Sequence, residues 1–240
     1  MSVDAEGQMI ASIMAKKGSV SATHLVIDIP IGPCAKIKTK KDASKLGEKF
    51  KFIGKNLGIK TEILISDGSE PVGNGIGPLL EARDVLWVLE RDPARSIDLE
   101  KRSMELAAKI LELAGVAKKG KGQALACEIL ETGKAHKKML DIIYAQGGVK
   151  IRADQLSPGI HTYDYTARKS GKISFNNPML SRIARLAGAP KDIDAGIFLY
   201  KHKGDKVEKW DKIFTVYAAS KEKLNYCMEH LSVFDGIVIK

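Results

Sequence analysis

Two short apolar runs, Leu25–Ile31 (LVIDIPI) and Lys60–Asp67 (KTEILISD), constrain this chain more than anything else in it. Both are rich in isoleucine and too brief for a buried helix, so both read as strands. Between them, Lys41–Leu57 carries Ala43, Leu46, Phe50 and Ile53 at helical spacing, and Gly58 is well placed to stop that helix. Strand, helix, strand in this order is the parallel crossover unit. Parallel strands are apolar on both faces because helices cover them. The expectation is therefore an α/β fold, part of a sheet covered by helices.

The stretch before the first strand predicts a helix. Met9, Ile10, Ile13 and Met14 form its apolar face, and Gly18 and Ser19 end it. Ser12 and Lys16 are four apart and share a different stripe. The first strand runs into Pro30–Lys36, where Gly32 and Pro33 force a turn. Loops at the carboxyl ends of such strands are the usual ligand sites of α/β sheets. Lys36 sits on that loop, with Lys40 and Lys41 close behind. Asp28 interrupts the apolar strand and is expected to be hydrogen-bonded, in a structural role.

Gly68–Gly77 (GSEPVGNGIG) is a glycine-rich loop ahead of a helix beginning near Pro78. It contains neither GxxxxGK[ST] nor GxGxxG, so no nucleotide fingerprint is present, and its glycines are expected to serve the turn and packing. Pro78–Glu90, Leu99–Ala114, Gly122–Thr132 and Lys134–Gln146 read as helices that would cover the sheet. At Gly147–Gly148 the pattern changes to strand-like segments, His161–Arg168, Lys172–Phe175, Ile197–Tyr200 and Lys212–Tyr217, with a helix at Pro178–Leu186. A helix near Lys221–Leu231 and a strand at Gly236–Ile239 close the chain. The expected division is 1–147, an incomplete α/β nucleotide-binding domain, and 148–240, a smaller α+β domain. Ala195–Ala218 resembles the hairpin of the barrel-sandwich module of biotinyl and lipoyl carriers. It lacks their MKM or DKA lysine turn, which implies a structural use.

Of 240 residues, 44% are hydrophobic and 28% charged, a globular composition, and the net charge is +10. Such basicity favours anionic partners. It would also suit an RNA-binding module, but aromatics are only 6% of the chain and are scattered. No nucleic-acid partner is therefore expected. Cys34, Cys127 and Cys227 lie far apart without a CxxC pair, so neither a metal site nor a disulfide framework is expected. No apolar run approaches the roughly 18 residues of a membrane span. A soluble, cytoplasmic protein is the expectation.

The run Ala11–Lys17 (ASIMAKK), the strand after it and GPCAK resemble the nucleoside phosphorylase family that includes thymidine phosphorylase. SIMAKKGSVSATHLVIDIPIGP is closest to the archaeal AMP phosphorylase branch, and the likeness continues through SDGSEPVGNGIGP and LEARDVL to the carboxyl end. The resemblance implies phosphorolysis of nucleoside 5′-monophosphates, AMP and phosphate giving adenine and ribose 1,5-bisphosphate. Inorganic phosphate is then a substrate, and no cofactor is implied. Carried over position by position, Asp4 falls at the proton donor, Ser12 and Lys36 at nucleotide-binding positions, and Lys16 at the lysine that pyrimidine-specific members use on the base. Full-length members are homo-oligomers. The family's helical phosphate-binding domain has no counterpart here, so the chain resembles the carboxyl-terminal part of such an enzyme. Weak or no turnover by the chain alone is the expectation. The alternative within the family is a thymidine or pyrimidine nucleoside phosphorylase.

Overall fold

The computed structural model describes residues 6–233 and 236–240. They form two compact units. One comprises the described part of Met1–Ser69 together with Arg102–Glu128, and the other comprises Glu70–Lys101 with Ile129–Lys240.

The first unit is built on the predicted crossover. Strands β1 (His24–Ile31) and β2 (Lys60–Asp67) pair in parallel, with Ile27 opposite Ile63 and Ile29 opposite Ile65. Helix α1 (Glu6–Ser19) contributes the buried Ile10 and Met14. Helix α2 (Lys40–Asn56) joins the strands. Thr39 caps it by accepting from the Asp42 amide at 3.1 Å, which satisfies one of the orphan donors of its first turn. Its Ala43, Leu46 and Phe50 are buried with Ile10, Met14, Ile29 and Ile59 in one core. Gly47 and Gly54 face β2: a Cβ on Gly54 would lie 2.2 Å from the Thr61 hydroxyl and 3.0 Å from the Ile59 carbonyl. These glycines let the helix lie close on the strand.

Asp28 is hydrogen-bonded, as its position demands. Its carboxylate accepts from the Ser66 hydroxyl at 2.5 Å and from Arg102 Nη1 at 2.6 Å. Arg102 Nη2 also donates to the Asp67 carbonyl at 2.7 Å. Arg102 lies on α4 (Ile97–Leu113), so one guanidinium ties that helix to the carboxyl-terminal halves of both strands.

The second unit holds a four-stranded sheet ordered β3-β6-β8-β4 and a three-stranded sheet ordered β7-β5-β9. The strands are β3 (Gly75–Ile76), β4 (His161–Thr166), β5 (Gly171–Phe175), β6 (Gly196–Leu199), β7 (Lys206–Val207), β8 (Lys212–Ala218) and β9 (Ile237–Ile239). β6 and β8 pair antiparallel, as a hairpin over Ala195–Ala218 requires, but β7 between them joins the other sheet. Helix α7 (Asn177–Ala187) buries Leu180, Ile183 and Ala184 and meets α8 (Lys221–Val233), whose Cys227 is fully buried. Helix α3 (Pro78–Glu90) packs on β3 and β6, α6 (Lys134–Ala145) packs on α3, and α5 spans Gly122–Glu131. The helix after the glycine-rich loop thus covers a strand that lies over a hundred residues downstream.

The amides of the glycine-rich loop are taken by the protein's own carboxylates. Gly73 donates to Asp98 at 3.1 Å, Asn74 and Gly75 to Asp84 at 2.6 and 2.7 Å, and Gly77 to Glu81 at 3.0 Å. A Cβ on Gly75 would lie 2.5 Å from the Leu80 carbonyl carbon, so its glycine is demanded by packing. Among the described residues no helix is long and apolar enough to cross a membrane.

Candidate functional site

The loop that follows β1 is held in shape by close backbone contact. The Gly68 amide donates to Ile31 at 2.8 Å and the Gly32 amide to Ile37 at 3.3 Å. A Cβ on Gly32 would lie 2.9 Å from the Gly68 carbonyl carbon, so only glycine lets the loops leaving β1 and β2 touch. Lys38 Nζ bonds back to the Pro33 carbonyl and closes the turn. The result is a short, tied loop that carries Lys36 directly into the Thr39 cap of α2.

Lys36 lines a cleft of 760 Å³. Its walls come from the start of α1 (Glu6, Met9), the loop (Lys36, Ile37) and the first half of α2 (Asp42, Lys45, Leu46, Glu48, Lys49). Met9, Ile37 and Leu46 give an apolar floor. The charged rim is mixed, but its acids are engaged. Glu6 pairs with Lys49 at 2.9 Å, Glu48 with Lys51 at 3.4 Å, and Asp42 accepts from the Thr39 hydroxyl at 2.6 Å. Lys45 makes no ion pair among the described residues. Lys36 precedes the amino end of α2 and Lys45 lies on its second turn, so the cleft borders a helix amino end, a setting that favours an anion.

The sequence-derived site residues do not all converge there. Lys36 does. Ser12 and Lys16 share the exposed stripe of α1, opposite the buried Ile10 and Met14, and neither lines the cleft. Ser12 is one helical row away from it, because Met9 is its i−3 neighbour. Asp4 lies outside the described residues. Lys45 and Lys49 were not singled out from the sequence. The signal was present in the i, i+4 spacing of Lys41, Lys45 and Lys49, but a lysine stripe on a solvated helix face looks the same with or without a cleft beside it.

The histidines have structural partners or neighbours. His202 shares a hydrogen bond with Asn74 at 2.8 Å, and His136 lies 3.8 Å from Glu90. The three cysteines are free, and no group of three or more metal-ligating side chains occurs among the described residues. Burial pushes the Cys227 thiol up to about 11. In the second unit a 450 Å³ cavity borders Asp84, whose second carboxylate oxygen has no hydrogen-bond partner among the described residues.

Residues 173–233 match the family model described as the pyrimidine nucleoside phosphorylase C-terminal domain. The chain is 43% identical over 238 residues to a Legionella pneumophila (strain Corby) protein named "Putative thymidine phosphorylase", covering 99% of this chain and 45% of that protein. Proteins of the same name from Methylococcus capsulatus and Hahella chejuensis are 42% and 41% identical over 237 and 232 residues, covering 98% and 96% of this chain and again 45% of each relative. The chain therefore spans about half the length of the curated relatives it matches.

Proposed function

We propose that this chain is the nucleotide-gripping part of a phosphorylase that cleaves the N-glycosidic bond of nucleoside 5′-monophosphates, converting AMP and phosphate to adenine and ribose 1,5-bisphosphate. The observation that carries the reading is the cleft holding Lys36 with Lys45 and Lys49. Lys45 makes no ion pair among the described residues, and a nucleoside brings no charge to it, whereas the 5′-phosphate of a nucleotide does. The apolar floor of Met9, Ile37 and Leu46 suits the sugar and base edge.

The chemistry follows from charge development. A phosphate oxygen bonds to C1′ as the bond from C1′ to the base nitrogen breaks, and that bond's electron pair departs with the base. The base must then be protonated, the role assigned to Asp4, which requires a carboxyl held neutral by its surroundings. Lys36 holds the 5′-phosphate and so fixes the sugar for in-line attack. Ser12, with Lys16 a turn further on, offers a hydroxyl and a cation on the outer stripe of α1, where they would meet the nucleotide's base end.

The second reading, a thymidine or pyrimidine nucleoside phosphorylase, is favoured by the name its relatives carry. Calorimetric titration of the chain with AMP, adenosine, CMP and thymidine separates the two. The nucleotide reading expects AMP to bind, adenosine to bind at least tenfold more weakly, and Lys36→Ala to remove about a factor of ten, the value of one charge-assisted contact near solvent. Thymidine binding as tightly as AMP, indifferent to Lys36→Ala, would establish the second reading instead. Turnover of AMP by this chain alone is expected to be weak or absent.

A further inference from the structure

Aromatic residues scattered through the sequence argue against a nucleic-acid surface, yet folding aligns lysines from three distant segments, and an exposed tryptophan follows one of them closely in the chain. Lys206 of β7 stands directly opposite Lys172 of β5. On the other side of β5, Lys172 and Lys240 exchange both backbone hydrogen bonds, at 2.6 and 3.0 Å, continuing the β5–β9 register. Lys206, Lys172 and Lys240 therefore form one row across the sheet. Side chains directly opposite each other project from the same face, and neighbouring strands lie about 4.8 Å apart, so the row spans about 10 Å. All three are exposed. None makes an ion pair among the described residues, and like charges set opposite each other weaken a sheet. Two acids flank that strand: Asp205, next to Lys206, whose carboxylate accepts from the His202 amide at 2.8 Å, and Glu208, two residues beyond it.

Four residues after Lys206, in the turn beyond β7, comes Trp210. It is 71% exposed and holds φ at +79°, a backbone conformation unfavourable for a bulky residue. The turn that imposes it is tied down. The Trp210 amide donates to Ala167 at 2.8 Å, the Lys209 amide to Ser170 at 3.2 Å, and the Glu208 amide to Asp211 at 3.1 Å. Lys209 Nζ lies 5.0 Å from the centre of the indole ring. A large apolar ring is thus presented to solvent on a tied turn, beside Lys209 and four residues along the chain from Lys206.

We propose that this face binds single-stranded nucleic acid, the lysine row taking successive backbone phosphates and the Trp210 indole stacking on a base. A cationic track with an aromatic platform is how such strands are held without regard to sequence. A membrane surface would need several apolar side chains to enter it, and on this sheet only Val238, 50% exposed, joins Trp210. An acidic peptide would satisfy the lysines and leave the indole without a flat partner. The surface lies in the second unit and stands independently of the phosphorolysis reading.

Fluorescence anisotropy of a labelled oligouridylate with the full chain, at a series of salt concentrations, tests this. Three phosphate contacts predict a slope of log K against log salt of about −2. Lys206→Gln should reduce that slope by about 0.7, and Lys172→Gln, Lys206→Gln and Lys240→Gln together should nearly abolish it. Trp210→Ala should weaken binding about tenfold and leave the slope unchanged. Circular dichroism of each variant checks that it folds, and the single Lys206→Gln variant carries the test if the triple one does not. Absence of binding at low salt overturns the proposal, as does a slope indifferent to the lysine substitutions. Equal affinity for polyglutamate or for vesicles containing phosphatidylserine overturns it too.

Discussion

Asp84 shows how much a single buried side chain can carry. It is 1% exposed, one of its oxygens ends the amides of Asn74 and Gly75, and burial raises its carboxyl above the ordinary 3.8 against the pull of those amides and of Arg83. A raised carboxyl pKa means that the folded state holds a proton the unfolded chain has released. Its contribution to stability is then full below pH 3.8 and declines as pH rises through the folded value. Asp84→Asn retains an oxygen for the two amides and carries no charge. Thermal melts from acid to neutral pH should show the wild type losing stability relative to the variant as pH rises. A constant difference across that range would mean that burial does not disfavour the ionised form. The thiols make a second prediction. Cys34 is exposed, whereas Cys227 is fully buried with its thiol pushed up to about 11. A thiol reagent should modify Cys34 in the native protein and reach Cys227 only on unfolding.

The crossover unit shows the same logic between elements. Gly47 and Gly54 both face β2, but an added Cβ meets different things. At Gly47 its nearest neighbours are side-chain atoms of Ile63, from 3.1 Å, which need give by only a few tenths of an ångström. At Gly54 it meets the Ile59 carbonyl at 3.0 Å as well as the Thr61 hydroxyl. Alanine in a helix is favoured over glycine by about 1 kcal/mol, while overpacking costs about 1–3 kcal/mol. Gly47→Ala should therefore be near neutral and Gly54→Ala destabilising, by about 1–2 kcal/mol in denaturant unfolding. Arg102 is the other tie in this unit. Removing it strands the half-buried Asp28 carboxylate and leaves the Ser66 hydroxyl as its remaining partner. Arg102→Ala should cost about 2–3 kcal/mol, less than a fully buried pair would because water reaches both groups.

Across the whole chain, the two units differ in how far their contacts reach. β1 and β2 are joined by one helix, whereas β3 pairs with β6 across more than a hundred residues and β5 with β9 across more than sixty. Distant pairings are slow to form because loop closure precedes any gain from contact. Both tryptophans, Trp87 and Trp210, lie in the second unit. During refolding, amides of β1 and β2 should gain hydrogen-exchange protection before tryptophan fluorescence becomes native. Simultaneous appearance of the two signals would show that the crossover does not form ahead of the second unit.

What depends on near neighbours along the chain was legible before any fold. The bounds of β2 and the apolar stripes of α1 and α2 follow from spacing within a few residues, because helix and strand periods are local properties. That Asp28 needs hydrogen bonds follows from its place on an apolar strand, but its partners, Ser66 and Arg102, come from far along the chain. The place of Lys36 on the loop that follows β1 is local in the same way, since a loop must leave that strand there. Which segments lie together emerges with folding. It drew β3 and α3 to a strand near residue 197, set Lys45 on the wall of a cleft, left Ser12 and Lys16 one row outside it, and aligned Lys172, Lys206 and Lys240. Such placements minimise exposed apolar area over a whole unit at once, and no short window of residues contains that sum.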